Sequence, residues 1–287
     1  MERARRLEYL RAMGVEAWER RNMPAPQGAP PVSLEADAST PPPAASTQHA
    51  PSREISPSPP SIRPQPSVAT GAAAEALARI PVVTLARAAG QPLPAEVEAQ
   101  WESLQAEVLS CTKCDLHSTR TQGVFGVGNR RAEWLVIGEA PGAEEDRRGE
   151  PFVGRAGQLL NAMLKAIGLP REQVFIANVL KSRPPNNRDP KPGEVAACLP
   201  YLMRQIELLQ PRLMLAVGRI AAQNLLATDM ALGRLRGQLH HFGELNTPLI
   251  VTYHPAYLLR SPADKRKAWE DLKFARSTFQ RLASQEQ

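Results

Sequence analysis

The clearest indication of architecture is the stretch Trp134-Leu-Val-Ile-Gly138-Glu-Ala-Pro-Gly142. Its first four residues are all apolar, and a turn rich in glycine and proline follows them directly. An unbroken apolar run is typical of a strand covered on both faces, as in a parallel sheet. Three later runs share this character: Val174–Val179, Leu213–Val217 and Leu249–Tyr253.

Helical patterns separate these runs. Five helices are predicted: Ala95–Leu109, Gly157–Ile167, Gly193–Leu209, Arg219–Ala227 and Ala263–Leu282. Alternating strands and helices predict an α/β domain with helices on both faces of a parallel sheet. In such sheets, binding sites form at the carboxyl ends of the strands.

The N-terminal part of the chain has a different composition. Between Pro24 and Thr70 there are 13 prolines and no Phe, Trp or Tyr, so this segment lacks the apolar surface needed to offset its ordering entropy. We therefore predict a disordered linker over residues 24–70, preceded by a short helix over residues 1–23. That helix is either a frayed extension or, over residues 1–22, a docking element for a protein partner. A helical lead-in over 71–106 and a folded domain over 107–283 complete the predicted organisation.

Charge and cysteine content exclude several classes of protein. Residues 107–287 carry 25 Lys and Arg against 18 Asp and Glu, and a basic domain of this kind suggests a polyanionic partner. There is no run of about 18 apolar residues, the length of a membrane span, and the charged N-terminus does not resemble a secretory signal. An odd number of cysteines, three, argues against a disulfide framework. We therefore expect a cytoplasmic protein that does not enter membranes.

Polar residues stand where three of the predicted strands end. Glu139 begins an acidic loop, which is either a solvated loop or part of a site and which lacks the G-x-G-x-x-G dinucleotide fingerprint. A buried Asn178 must pair with backbone or with ligand, and an amide is the usual reader of a base edge. The basic loop Lys181–Arg188 suits phosphate contacts, and His254 follows the fourth strand. Phe152, between two turns, is either a core residue or a stacking surface.

In combination, these motifs resemble the family 4 (iron–sulfur type) uracil-DNA glycosylases. The resemblance covers about residues 107–280 and is carried by four motifs: Gly138-Glu-Ala-Pro-Gly142, Pro151-Phe-Val-Gly154, Asn178 with Arg183-Pro-Pro185, and His254-Pro-Ala256. It implies a three-layer α/β/α sandwich around a four-stranded parallel sheet. It also implies hydrolysis of the bond between uracil and deoxyribose, which begins base-excision repair and requires the nucleotide to be flipped out of the duplex.

The resemblance assigns a role to each site residue. Phe152 would stack on the flipped base, Asn178 would read its Watson–Crick edge and reject cytosine, and Ala140 would also line the uracil-binding site. His254 would stabilise the negative charge that develops on uracil O2 as the base leaves. Leu258, which looks exposed in the sequence, would wedge into the vacated base stack. The remaining DNA contacts are assigned to basic and amide side chains: Arg183, Asn187, Arg188 and Arg260.

The residue that positions water is left open by the resemblance. Ala140 stands where glycosylases of a related family carry an Asp, so Glu139 and Glu145 are the nearest candidates, unless backbone polarisation suffices. Gly142 stands where those relatives carry a Tyr that excludes the thymine methyl group, and Glu145 is a candidate for that task as well.

A 4Fe–4S cluster is also implied, with four cysteine ligands. Cys111, Cys114 and Cys198 fill three of the places, and Ser182 stands in the fourth. By themselves, three cysteines are equally consistent with buried structural thiols or with the start of a zinc site. Because a serine oxygen is a harder ligand than a thiolate, we expect three thiolates to bind the cluster, with the fourth iron held by Ser182 or water, or lost.

Two other functions are consistent with parts of the pattern. A non-catalytic DNA-binding module on the same fold would keep the basic surface without the pocket chemistry, and a redox or regulatory iron–sulfur protein would need only the cysteines. The pattern as a whole favours a monomeric glycosylase acting on uracil in single- or double-stranded DNA.

Overall fold

The structure is a computed structural model that describes residues 92–285. The predicted helix over 1–23, the predicted linker over 24–70 and most of the lead-in over 71–106 lie outside the described residues.

A single mixed sheet forms the centre of the described part of the chain, residues 92–285. Its strand order is β1-β3-β2-β4-β6-β5. The strands are β1 (Val127–Gly128), β2 (Trp134–Gly138), β3 (Phe175–Asn178), β4 (Leu213–Val217), β5 (Leu239–Phe242) and β6 (Thr247–Thr252). The four central strands are mutually parallel and are the four that the apolar runs predict.

Two antiparallel edge strands, β1 and β5, extend the predicted four-stranded sheet to six. Strand β1 has only two residues, and residues of β5 alternate between exposed and partly buried. Neither has the continuous apolar run by which the central strands were recognised.

Helices cover both faces of the sheet. Between residues 92 and 285 they are α1 (Ala95–Leu109), α2 (Ala143–Arg148), α3 (Arg155–Ala166), α4 (Pro192–Leu209), α5 (Arg219–Leu225), α6 (Leu232–Leu235), α7 (Pro255–Arg260) and α8 (Lys265–Gln285). The five predicted helices are present, with ends that differ by three residues or fewer, whereas the short α2, α6 and α7 were not predicted. None of the helices in this range has both the length and the apolar composition of a membrane crossing.

Alternate residues of each central strand enter one of two cores. In β2, Leu135 and Ile137 pack with α1, α4 and α5, whereas Trp134 and Val136 pack with α3, α7 and α8. Burial on both faces explains why these strands are apolar throughout. The predicted three-layer α/β/α sandwich is confirmed.

The order of the strands fixes where a site can form. Strand β2 pairs with β3 on one side and with β4 on the other. Connections that leave a strand in opposite directions open a crevice at its carboxyl end. The residues that follow β2, β3, β4 and β6 therefore collect at one edge of the sheet.

Candidate active site

Asn178, the last residue of β3, lies at this edge. Its side chain is 2% exposed, and its Oδ1 atom has no hydrogen-bond partner among residues 92–285. Gly138 pairs with it in register, and a Cβ atom at Gly138 would lie 2.4 Å from Asn178 Oδ1 and 2.6 Å from Phe152 Cζ. The glycine that ends β2 is therefore what allows the amide and the aromatic ring to approach each other.

Lys181 binds the backbone of Asn178. Its Nζ donates to the backbone oxygen of Asn178 at 2.9 Å and to Gln205 Oε1 at 2.6 Å. The side chain is fully buried, and burial lowers the pKa of Lys181 to about 7. The basic-loop hypothesis placed this lysine among phosphate contacts, whereas the structure places it inside the protein. The position of Lys181, just after an apolar strand, was the feature of the sequence that could have indicated its burial.

Phe152 lies beside Asn178 and is 5% exposed. Its ring centroid is 5.6 Å from that of His254, with the two planes inclined at 31°. The residue is part of the core that contains α3 and α8, and it also borders the site. The two alternatives left open for Phe152, core residue and stacking surface, are thus compatible.

Glu145 holds the segment that carries Phe152. Its Oε1 accepts hydrogen bonds from the backbone N–H groups of Val153 and Gly154, both at 3.0 Å. This carboxylate is therefore already engaged by backbone, which sets it apart from Glu139 as a candidate for activating water.

His254 is the N-cap residue of α7 and is fixed in one tautomer. Its Nδ1 accepts a hydrogen bond from the Ala256 N–H at 3.1 Å, so the proton of the neutral ring is on Nε2. Burial, and secondarily the charge of Arg260, lowers the pKa of His254 to about 4, against an opposing effect of Glu145. Gly218, with φ 101°, makes room for it, since a Cβ atom there would lie 2.9 Å from His254 Cβ. At neutral pH the residue is an uncharged donor.

Glu139 follows β2 directly and is partly buried. The pKa of Glu139 is raised to about 7, mainly by burial and secondarily by the charge of Asp189, against an opposing effect of Arg219. Asp189 and Arg219 themselves form an ion pair at 2.6 Å. A carboxyl group with a pKa near 7 is well suited to accept a proton at neutral pH. The adjacent Ala140 is partly buried and packs against the core that contains α4.

The predicted exposure of Leu258 is wrong. Leu258 is 1% exposed and packs in the core with α3 and α8, whereas its neighbour Leu259 is 37% exposed. Consecutive residues of a helix point in different directions, and α7 turns Leu258 inward. Arg260, the last residue of α7, is exposed as expected.

The basic loop after β3 is held by its own contacts. Arg183 Nε donates to Asn187 Oδ1 at 2.8 Å, and Arg188 pairs with both carboxylate oxygens of Glu194 at 2.5 and 2.9 Å. The DNA contacts of Arg183, Asn187 and Arg188 stay predictions, and for Arg188 the charge already has a carboxylate partner.

Cys111 and Cys114 follow α1 and pack against the core that contains Cys198, a residue of α4. The thiols of Cys111 and Cys114 raise the pKa of Cys198, an effect secondary to burial. The Lys181 N–H donates to Cys198 Sγ at 3.4 Å. Within residues 92–285 no three Cys, His, Asp or Glu side chains are grouped so that they could hold a metal ion. Thiolates are the usual ligands of iron–sulfur clusters, and that these three cysteines hold such a cluster stays a prediction.

Ser182, which stands in the fourth predicted ligand place of the cluster, has a hydrogen-bond partner of its own. The Ser182 hydroxyl is buried and accepts a hydrogen bond from Arg120 Nη1 at 2.7 Å. Arg120 Nη2 also donates to the backbone oxygens of Leu109 and Cys111, at 2.8 and 3.0 Å. A guanidinium therefore joins the Cys111 segment to the loop after β3, a contact that sequence spacing did not indicate.

Comparison with known proteins gives a consistent result. The family model of the uracil DNA glycosylase superfamily matches residues 125–273. A type-4 uracil-DNA glycosylase of Archaeoglobus fulgidus is 47% identical over 178 residues, which span 60% of this chain and 89% of the relative. A type-4 uracil-DNA glycosylase of Thermotoga maritima is 41% identical over 184 residues, which span 63% of this chain and 95% of the relative. The chain belongs to the uracil DNA glycosylase superfamily and is similar to its type-4 members.

Proposed function

We propose that this protein removes uracil from DNA by hydrolysing the N-glycosidic bond and so begins base-excision repair. The observation that carries the proposal is the buried, unpaired Oδ1 of Asn178. An unsatisfied buried acceptor costs about 1–3 kcal/mol, and the N3–H of uracil is a donor that would satisfy it. The amide lies beside an aromatic ring, Phe152, at the carboxyl edge of the sheet.

Recognition follows from the hydrogen-bonding pattern of the base. A flipped uracil stacks on Phe152, donates from N3–H to Asn178 Oδ1 and accepts at O4 from Asn178 Nδ2. Cytosine has an acceptor at N3 and an amine at C4, so both positions are mismatched. A site built around a buried polar group rejects such a mismatch strongly because the group is left unpaired.

Bond cleavage is assisted by His254. When the bond between C1′ and uracil N1 breaks, its electron pair passes to the base, and negative charge develops on O2. The neutral Nε2–H of His254 donates to O2 and stabilises this charge. The imidazole keeps its proton during this step.

Glu139 is assigned to the water. Water oxygen forms the new bond to C1′ and transfers a proton to the Glu139 carboxylate, whose pKa is raised to about 7. Glu145 is assigned to the loop rather than to water because two backbone N–H groups occupy its Oε1.

We also propose that Cys111, Cys114 and Cys198 hold an iron–sulfur cluster. When bound, the cluster supplies a cross-link between the Cys111–Cys114 segment and α4, and it takes no part in cleavage. Its content is measured as iron, acid-labile sulfide and visible absorption in anaerobically purified protein. Ser182→Cys, which completes the set of thiolates, should raise retention of iron in air. Zinc, or an active folded protein without metal, would refute this assignment.

The cytoplasmic location, the monomeric state and the protein partner of residues 1–22 remain predictions from sequence.

One assay tests the activity itself. A labelled oligonucleotide with a single uracil is incubated with the protein, treated with alkali and resolved by length, and the same oligonucleotide with thymine serves as the control. We expect alkali-sensitive breaks at uracil alone. Binding without breaks would support the non-catalytic DNA-binding module and contradict the proposal.

A further inference from the structure

The backbone at Phe152 is unusual. Its φ is 54°, in the left-handed region that residues with a Cβ atom rarely adopt. Such a conformation persists only when the surrounding structure holds it. Helix α3 packs closely against it: a Cβ atom at Gly157 would lie 1.8 Å from the Phe152 backbone oxygen. This segment therefore needs specific contacts to keep the ring in position.

Arg171 supplies contacts on one side of the segment. Its Nη2 donates to the backbone oxygen of Pro151 at 2.6 Å, and its Nη1 donates to that of Phe152 at 3.2 Å. Nη1 also donates to Asn161 Oδ1 at 3.2 Å, which orients the guanidinium against α3. Two consecutive carbonyl groups are thus fixed by one planar side chain that reaches across from the turn before β3.

Glu145 supplies contacts to the next two residues. As described above, its Oε1 accepts from the N–H groups of Val153 and Gly154. A cationic group holds the carbonyl groups and an anionic group holds the amides, so four successive residues are bound by side chains of opposite charge. Hydrogen bonds with one charged partner are the stronger kind.

We propose that Arg171 is a positioning residue for base excision, which sets the Phe152 ring by holding the carbonyl groups of Pro151 and Phe152. Arg171 acts through Phe152 rather than on the substrate. The inference rests on the proposed function, in which Phe152 stacks on the base. Arginine is required because its rigid fork binds two acceptors at once, whereas a lysine ammonium is a single point of charge on a flexible stem.

The first test compares Arg171→Met with Lys165→Met. Lys165 is an exposed cation in the last turn of α3, so both variants lose one positive charge. Single-turnover excision of uracil should fall roughly 10- to 100-fold in Arg171→Met, the scale expected for a misplaced contact group. It should stay within about twofold of wild type in Lys165→Met. Arg171→Lys keeps the charge and serves as the variant to measure if Arg171→Met does not fold. Its loss of excision rate should be intermediate.

The second test separates positioning from a general loss of stability. If Arg171 acts through the aromatic ring, Arg171→Met should cost less than about threefold in a Phe152→Leu background, because coupled residues are not additive. Equal losses in both backgrounds, or no loss in the single variant, would overturn the proposal.

A third readout is independent of activity. Hydrogen exchange at the Val153 and Gly154 amides should become faster in Arg171→Met and stay unchanged in Lys165→Met, since local opening exposes these groups. Unchanged exchange in Arg171→Met would overturn the proposal. If wild-type protein fails to release uracil while exchange responds as expected, then the proposed function fails and the structural role of Arg171 stands.

Discussion

His254 illustrates how a single backbone contact selects a chemical role. The Ala256 N–H occupies Nδ1, and burial lowers the pKa to about 4, so the ring presents a neutral donor at Nε2. His254→Ala should lower single-turnover excision by roughly 10²–10³-fold, the usual cost of one donor to a developing anion. Affinity for DNA, measured by fluorescence anisotropy, should change little. A collapse of affinity with intact chemistry would show that His254 only positions the substrate.

We expect Glu139 to make the reaction dependent on pH. Because its pKa is raised to about 7, chiefly by burial, the carboxylate forms as pH rises through neutrality. The single-turnover rate should rise between about pH 6 and 7 and level off above about pH 8. His254 stays neutral in this range and adds no inflection. Glu139→Gln should be slower and should flatten the profile; a flat profile in the wild type would exclude Glu139 as the base.

The sequence pointed to the residues that we propose contact the base, but not to the residues that hold them in place. Asn178 lies at the end of one apolar strand and His254 follows another, so position along the chain was enough to place them at one edge. Arg171 and Lys181 act through partners that the sequence pattern did not indicate: Arg171 reaches back 20 residues to Pro151, and Lys181 reaches forward to Gln205. The partner of a buried charge depends on tertiary packing rather than on periodicity.

Helix α7 exposes Leu259 and buries Leu258, so we propose Leu259 as the leucine that faces DNA. Its inner side buries Leu258 in the core, and its outer side leaves Leu259 and Arg260 exposed. Leu259→Ala should lower excision from double-stranded DNA more than from single-stranded DNA, because only the duplex must be wedged open, and Tm should stay unchanged. Leu258→Ala should instead lower the free energy of unfolding by about 2–5 kcal/mol. If Leu258→Ala instead lost excision selectively on duplex DNA with an unchanged Tm, then Leu258 and not Leu259 would be the residue that wedges the duplex open.

Strands with a continuous apolar run were predictable from the sequence, whereas short strands and helices were not. The central strands β2, β3, β4 and β6 are apolar because both faces are covered, and this signal survives in sequence. Strand β5 has only four residues, and its form depends on pairing with β6. Helix α7 was not predicted because a helix of six residues shows too little periodicity to define its inner face. For the same reason Leu258 was wrongly predicted to be exposed.

At the scale of the whole molecule, the matched region and every candidate site residue lie beyond residue 106. A chain lacking residues 1–70 should therefore keep its rate of uracil excision on short oligonucleotides, within about twofold. Rates of the full and shortened chains are compared at equal active-site concentration. A large loss would mean that the N-terminal segment contributes to the catalytic domain.

The central claim is that the buried amide of Asn178 reads uracil, and Asn178→Asp tests it most directly. Single-turnover excision is measured on matched duplexes that carry uracil or cytosine at one position. The substitution replaces the donor to O4 by an acceptor, so uracil excision should fall by roughly 10⁴-fold, as expected when a buried hydrogen-bonding pattern is mismatched. Any remaining activity should shift towards cytosine. Uracil excision at the wild-type rate by Asn178→Asp would contradict the account.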